Sequence, residues 1–167
     1  MKTIEIRAKI RICSHSELSV EQKNVVEAAK RATSGSYSPY SNFKVGAAVL
    51  LANGEIITGS NQENAAYPSG LCAERTAIFY AGANYPDVAI RKLAIISRQG
   101  DEFGREICSP CGACRQVICE AEARAGAPIE ILLCSATEAY IFDGIDGLLP
   151  FGFSGKDLQC DAAAEKH

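Results

Sequence analysis

Between Thr3 and Ile12 the chain alternates strictly, with Ile4, Ile6, Ala8, Ile10 and Ile12 separated by Glu5, Arg7, Lys9 and Arg11. A period of two belongs to a strand with one buried face, so an N-terminal strand is predicted over about 3–12. From Ser19 the period changes. Ser19 and Gln22 have capping-box spacing, and Val25, Ala28, Ala29 and Ala32 recur at helical intervals before Ser34-Gly35-Ser36, predicting a helix over 20–33. Tyr37 to Asn42, with Pro39 among small polar residues, reads as a loop. Phe43 to Ala52 and Glu55 to Asn61 are strand-like runs joined by Asn53-Gly54, the strongest short hairpin signal.

A loop from Gln62 to Gly70 leads into a second predicted helix over 71–82, ended by Gly82 and the Asn84-Tyr85-Pro86 break. Leu93 to Ser97 is a short apolar run fit for a buried strand, and Gln99 to Arg105 is a polar connection. Pro110 suits the first turn of a helix that reaches Ala125, ahead of Gly126 and Pro128. Ile129 to Cys134 and Ala139 to Phe142 are further strand candidates, and from Leu148 no regular element is predicted. Hairpin, helix, strand, helix, strand packs most simply as an α/β fold, a three-layer α/β/α sandwich around a mixed sheet.

A length of 167 residues suits one domain spanning 1–167, with the N-terminal strand as an addition to it. The 17 basic and 20 acidic residues are scattered and the formal net charge is -3, which excludes the electrostatic footprint of a nucleic-acid partner. The N-terminus has no uninterrupted apolar segment of the kind a signal peptide requires. The longest apolar run, Val45 to Ala52, is too short to cross a bilayer. A soluble, cytoplasmic protein with no membrane partner is expected. In a reducing compartment the 8 cysteines read as metal ligands rather than disulfides.

Cys111 and Cys114 form a C-x-x-C pair just after Pro110, so their thiols project from one helix start on nearly the same face. Cys72 occupies the equivalent place on the preceding helix. Three thiolates from two helix N-termini, with a fourth position open for water, are the pattern of catalytic rather than structural zinc. The helix N-termini and the adjacent Arg75 and Arg115 are placed to stabilise thiolate charge. Glu74, two residues past Cys72, does not share its face, but its side chain is long enough to reach that water as a proton shuttle. One alternative stays open: Cys108 could join the three thiols in a closed four-cysteine structural site, although the Ser109-Pro110 break sets it apart. Cys13, Cys119, Cys134 and Cys160 read mostly as small core residues.

Cys72-Ala73-Glu74 followed by Pro110-Cys111-Gly112-Ala113-Cys114 resembles the zinc-dependent cytidine deaminases, in which a glutamate that is not a ligand acts as general acid and base. The all-cysteine ligand set is similar to that of the small homotetrameric nucleoside deaminases. Tyr37 to Ala48, Gly59 to Pro68 and Leu148 to Phe153 look like segments of the same family, so the resemblance covers about residues 18–158 and leaves the N-terminal strand outside. It implies a homotetramer with one zinc ion per subunit on Cys72, Cys111 and Cys114. It further implies hydrolysis of cytidine and 2′-deoxycytidine with Glu74 as the catalytic carboxylate. Asn61 and Glu63 are then expected to bind the ribose hydroxyls and Phe43 to lie beside the pyrimidine. Phe153 is expected to reach a neighbouring subunit's site. A deaminase of a related aminopyrimidine, such as blasticidin S, shares these metal motifs and is the alternative.

Overall fold

The capping box forms at Ser19: the Gln22 N–H donates to Ser19 Oγ at 3.2 Å, and the Ser19 N–H donates to Gln22 Oε1 at 2.9 Å. It opens α1 (Val20–Ala32). In the computed structural model, which describes residues 1–158, β1 (Ile10–Ser14) precedes that helix and the hairpin strands β2 (Phe43–Leu51) and β3 (Ile56–Ser60) follow it. Next come α2 (Ala73–Asn84), β4 (Ile90–Gln99), β5 (Glu102–Phe103), α3 (Gly112–Ala125), β6 (Glu130–Cys134) and β7 (Glu138–Asp143).

The strands form one sheet in the order β1-β7-β6-β4-β2-β3, with β5 paired to β4 at one end. Only β4 and β6 are parallel; the remaining pairs are antiparallel. Val25, Val26, Ala28 and Ala29 of α1 pack on one face against Ala48, Leu50, Ala94, Ile96 and Leu132. On the other face Ala73, Ala77 and Ile78 of α2 and Ile118 of α3 pack against Ala47, Val49, Leu93, Ile95 and Leu133. The result is the expected three-layer α/β/α sandwich. Central strands covered on both faces explain why β2 and β4 read as apolar runs instead of alternating.

The N-terminal strand differs from its expected span. It starts at Ile10 and continues to Ser14, and residues 1–9 lie outside regular structure. Nor does its apolar face become a core face, because Ile10 and Ile12 are 42% and 55% exposed. The physical reason is the partner: β7 supplies ladder positions only for Ile10 to Ser14, and α3 packs on α2 and β4, so no helix among the described residues covers the β1 edge. Alternation fixes a strand's period but not what covers it. β4 is longer than its apolar run because β2 pairs with it from Ile90 through Gln99, and Arg91 and Lys92 at its polar start find partners in Glu21 and Glu130. Pro110 falls one residue before the α3 N-cap, Cys111, rather than in the first turn.

Two glycines set how closely the helices approach the sheet. A Cβ at Gly46 would stand 2.0 Å from the Ala29 carbonyl oxygen of α1, and one at Gly59 would stand 2.4 Å from that of Ala73 in α2. No larger residue fits either position unless the helix shifts.

Candidate active site

Both helices on the α2/α3 face begin on a cysteine. Cys72 and Cys111 are the N-caps of α2 and α3, both with extended backbone, and neither side chain is used as a cap. Their sulfurs thus sit at helix N-termini, where the unpaired N–H groups favour negative charge. Cys114 lies in the first turn of α3 and is fully buried. The Thr76 hydroxyl donates to the Cys72 carbonyl at 3.1 Å and lies 3.3 Å from that of Ser60, tying the α2 start to the end of β3. With Gly59 beneath it, this brings α2 down to the level of α3.

Cys72 Sγ and Cys111 Sγ are 3.7 Å apart, Cys111 Sγ and Cys114 Sγ are 3.4 Å apart, and all three lie within 4.8 Å of one another. Two thiolates bound to one tetrahedral zinc ion at the usual bond length stand about 3.8 Å apart, so the spacing fits. An all-thiolate donor set selects soft or borderline ions over magnesium or calcium. Zinc is the metal this site is built to hold.

The proton distribution within the cluster favours a cation. The Cys72 thiol is pulled down to about 5, first by the hydrogen bond from Cys114 and further by Arg75 and Cys111. Cys114 moves the opposite way, because it donates to Cys72 and is buried. One thiolate is therefore held by the Cys114 thiol and Arg75, and a metal would displace the Cys114 proton. An Arg75 Nη lies 3.8 Å from Cys72 Sγ, while its Nε is buried with no partner among the described residues. Arg115 bonds no thiolate; it donates to the Pro110 carbonyl at 3.0 Å and the Leu148 carbonyl at 2.8 Å. It braces the loop before Cys111 against the C-terminal segment.

Glu74 is only 4% exposed. Burial, followed by the Cys72 charge, raises its carboxyl above the usual range, partly offset by its own N–H, Cys114 and Arg75. Against it stands a group the motif reading left open. Cys108 is pushed up to about 12 by burial and by the Glu74 charge, with Ser97 hydrogen-bonded to it. It stays outside the three-sulfur cluster, so the described residues do not close a four-cysteine site. Cys134 is fully buried, Cys13 and Cys119 are half-buried, and Cys160 lies outside the described residues.

A cavity of about 470 Å³ opens beside Cys72 and Arg75, lined also by Tyr40, Ser41, Asn61, Glu63 and Tyr67. A larger one, about 670 Å³, lies at the far ends of α2 and α3, away from the thiols. Glu63 is half-buried in the wall of the first cavity and accepts from the Ser41 hydroxyl and from the Tyr40 N–H at 2.9 Å, which hold it below the usual carboxylate range. Asn61 Oδ1 accepts from Ser36 Oγ at 2.6 Å and the Val45 N–H at 2.7 Å, and its Nδ2 donates to the Phe43 carbonyl at 2.9 Å. One Nδ2 hydrogen remains for a ligand. Phe43, at the start of β2, is 41% exposed and does not line this cavity. Phe153 is also exposed, its carbonyl held by Gln116 at 2.6 Å. Tyr40 and Tyr67 meet edge to face across the mouth, ring centroids 6.3 Å apart. The Tyr37–Ala48 and Gly59–Pro68 segments contained both tyrosines, but their meeting depends on two loops converging.

An α/β/α sandwich that gathers three thiolates and a buried carboxyl at two helix N-termini defines a zinc hydrolase of the deaminase type. Residues 19–126 match the family described as the cytidine and deoxycytidylate deaminase zinc-binding region. A cytidine deaminase of Halalkalibacterium halodurans is 35% identical over an alignment covering 83% of this chain and 98% of that protein. A probable cytidine deaminase of Dictyostelium discoideum is 31% identical, with 87% and 92% covered. The crystal structure of cytidine deaminase from Burkholderia pseudomallei superposes with a TM-score of 0.64 at 36% identity, covering 78% of this chain and 98% of that one. The chain belongs to the cytidine and deoxycytidylate deaminase zinc-binding family.

Proposed function

We propose that the chain hydrolyses cytidine and 2′-deoxycytidine to uridine, 2′-deoxyuridine and ammonia. The observation that carries this reading is a buried Glu74, under the influence of Cys72 and Cys114, on the same helix start as one of three sulfurs that lie within 4.8 Å of one another. Bound to those thiols, zinc supplies the Lewis acidity that lets water ionise near neutral pH. Glu74 accepts the proton and delivers it to ring N3, which makes C4 electrophilic. The oxygen of water bonds to C4, Glu74 takes the remaining proton from that oxygen and passes it to the amino group, and the C4–N bond breaks as the C4 carbonyl forms, releasing ammonia. A carboxyl whose burial favours its protonated form suits a group that must carry a proton through each of these steps.

Cys72, Cys111 and Cys114 are the proposed ligands, with Arg75 stabilising the Cys72 thiolate and Arg115 positioning the loop that precedes Cys111. The remaining Nδ2 hydrogen of Asn61 and the Glu63 carboxylate offer a donor and acceptors to the ribose hydroxyls. Phe43 lies beside the pyrimidine once substrate enters, and Phe153 reaches the site of a neighbouring subunit in a homotetramer. Its exposure supports that role. The chain forms one deaminase domain over 1–167 and works in the cytoplasm, in pyrimidine salvage. No helix among the described residues is long and apolar enough to cross a membrane. Incubating the zinc-loaded protein with cytidine should yield uridine and ammonia in equal amounts. Turnover of blasticidin S in preference to cytidine would overturn the assignment.

A further inference from the structure

Among the described residues nothing covers the isoleucine row at the N-terminus. Ile4, Ile6, Ile10 and Ile12 are 70%, 51%, 42% and 55% exposed. The backbone edge beside them is open as well. The His15 N–H donates to the Thr137 carbonyl at 3.2 Å. Bonding residues alternate in an antiparallel ladder, so Arg11 and Cys13 also direct their N–H and C=O groups at β7. Ile10 and Ile12 direct theirs the other way, where no backbone partner stands among the described residues. The edge is nevertheless held in place: Arg11 pairs with Glu130 at 3.0 Å and with Asp143, and Ala8 rests against Gly147. An open, apolar, well-anchored edge of this kind is a template for another strand.

We propose that this edge pairs with the same edge of a second copy of the chain, antiparallel about a twofold axis through Ala8. The segment is self-complementary about that residue. Ile4 comes opposite Ile12, Ile6 opposite Ile10 and Ala8 opposite its own symmetry mate, while on the other face Glu5 comes opposite Arg11. The one like-charged pair, Arg7 with Lys9, is exposed, and Arg7 already pairs with Glu5 at 2.9 Å. An unrelated partner strand would require no such symmetry, whereas a twofold contact between identical strands does. Continued back through residues 4–8, the alternation that turns Ile10 and Ile12 outward makes the even-numbered residues the hydrogen-bonded pairs of the new ladder, and each isoleucine gains a cross-strand isoleucine. The family match begins only at residue 19, so this contact is separate from any made by the deaminase core.

Native mass spectrometry and hydrogen exchange on the full zinc-loaded chain test this, comparing wild type with Ile6→Lys and with Ala8→Pro. Ala8 precedes β1, so the proline removes an N–H that the new ladder would use without touching the β7 ladder. The expected result is a wild-type assembly at least twice the mass of either variant's. The amides of Ile10 and Ile12 should be protected in wild type and exchange in Ile6→Lys, with zinc content and deamination retained in both variants. Equal masses in all three proteins, with Ile10 and Ile12 amides unprotected in wild type, would overturn the proposal.

Discussion

The charge of Glu74 acts on two cysteines that behave differently. Cys114 belongs to the sulfur cluster, whereas Cys108 lies outside it and is pushed up to about 12, which favours the neutral thiol at neutral pH. Cys108→Ser should accordingly keep one zinc per chain, while Cys111→Ser loses most of it; metal analysis after gel filtration distinguishes the two. Zinc uptake must also release protons, because Cys114 is held protonated in the metal-free cluster. Affinity should therefore weaken as pH falls, and competition titrations with a chromophoric chelator near pH 8 and near pH 6 measure this directly. The three clustered cysteines and the neighbouring Glu74 were legible in the sequence because two local motifs carry them. That Cys108 stays outside the cluster was signalled only by the Ser109-Pro110 break, since spacing along the chain leaves it three residues from Cys111. Nor does adjacency to Cys114 reveal that the Arg115 guanidinium bonds the Pro110 and Leu148 carbonyls.

At the level of elements, the site depends on how α2 and α3 are seated. Gly59→Ala forces α2 off β3, at a cost of about 1–3 kcal/mol as for other overpacked contacts. It should lower zinc affinity as well, because Cys72 moves with the helix; denaturant unfolding and metal titration check both effects. Glu122 seats α3 by accepting the N–H of Ile129 at 2.8 Å and of Ile145 at 3.0 Å. Glu122→Ala strands those two donors and should destabilise the fold by about 1–3 kcal/mol in the same unfolding assay. The capping box of α1 and the Asn53-Gly54 turn were readable because each is decided by a few adjacent residues. β1 was displaced because its alternation specifies a period, while its extent is decided by β7, more than a hundred residues away. Two-residue β5 carries no pattern long enough to read.

Across the whole molecule, Glu130 links elements distant in sequence, accepting from Gln22 of α1 at 3.0 Å, Lys92 of β4 at 2.9 Å and Arg11 of β1 at 3.0 Å. Burial alone would raise its carboxyl, but Lys92, Gln22 and Arg11 together hold it below the usual range. A carboxyl depressed in the folded state stabilises fully above its ordinary range and loses that contribution as pH falls through its folded value. The Tm of wild type should thus exceed that of Glu130→Gln at neutral pH, with the gap closing on acidification; a gap independent of pH would contradict this. The central claim is that a carboxyl beside a three-thiolate zinc site moves the protons of cytidine hydrolysis. It is tested most directly by steady-state cytidine deamination by Glu74→Gln with zinc content measured on the same sample. The account predicts one zinc per chain and a loss of turnover of about 10²-fold or more. Near wild-type turnover with zinc bound would contradict it.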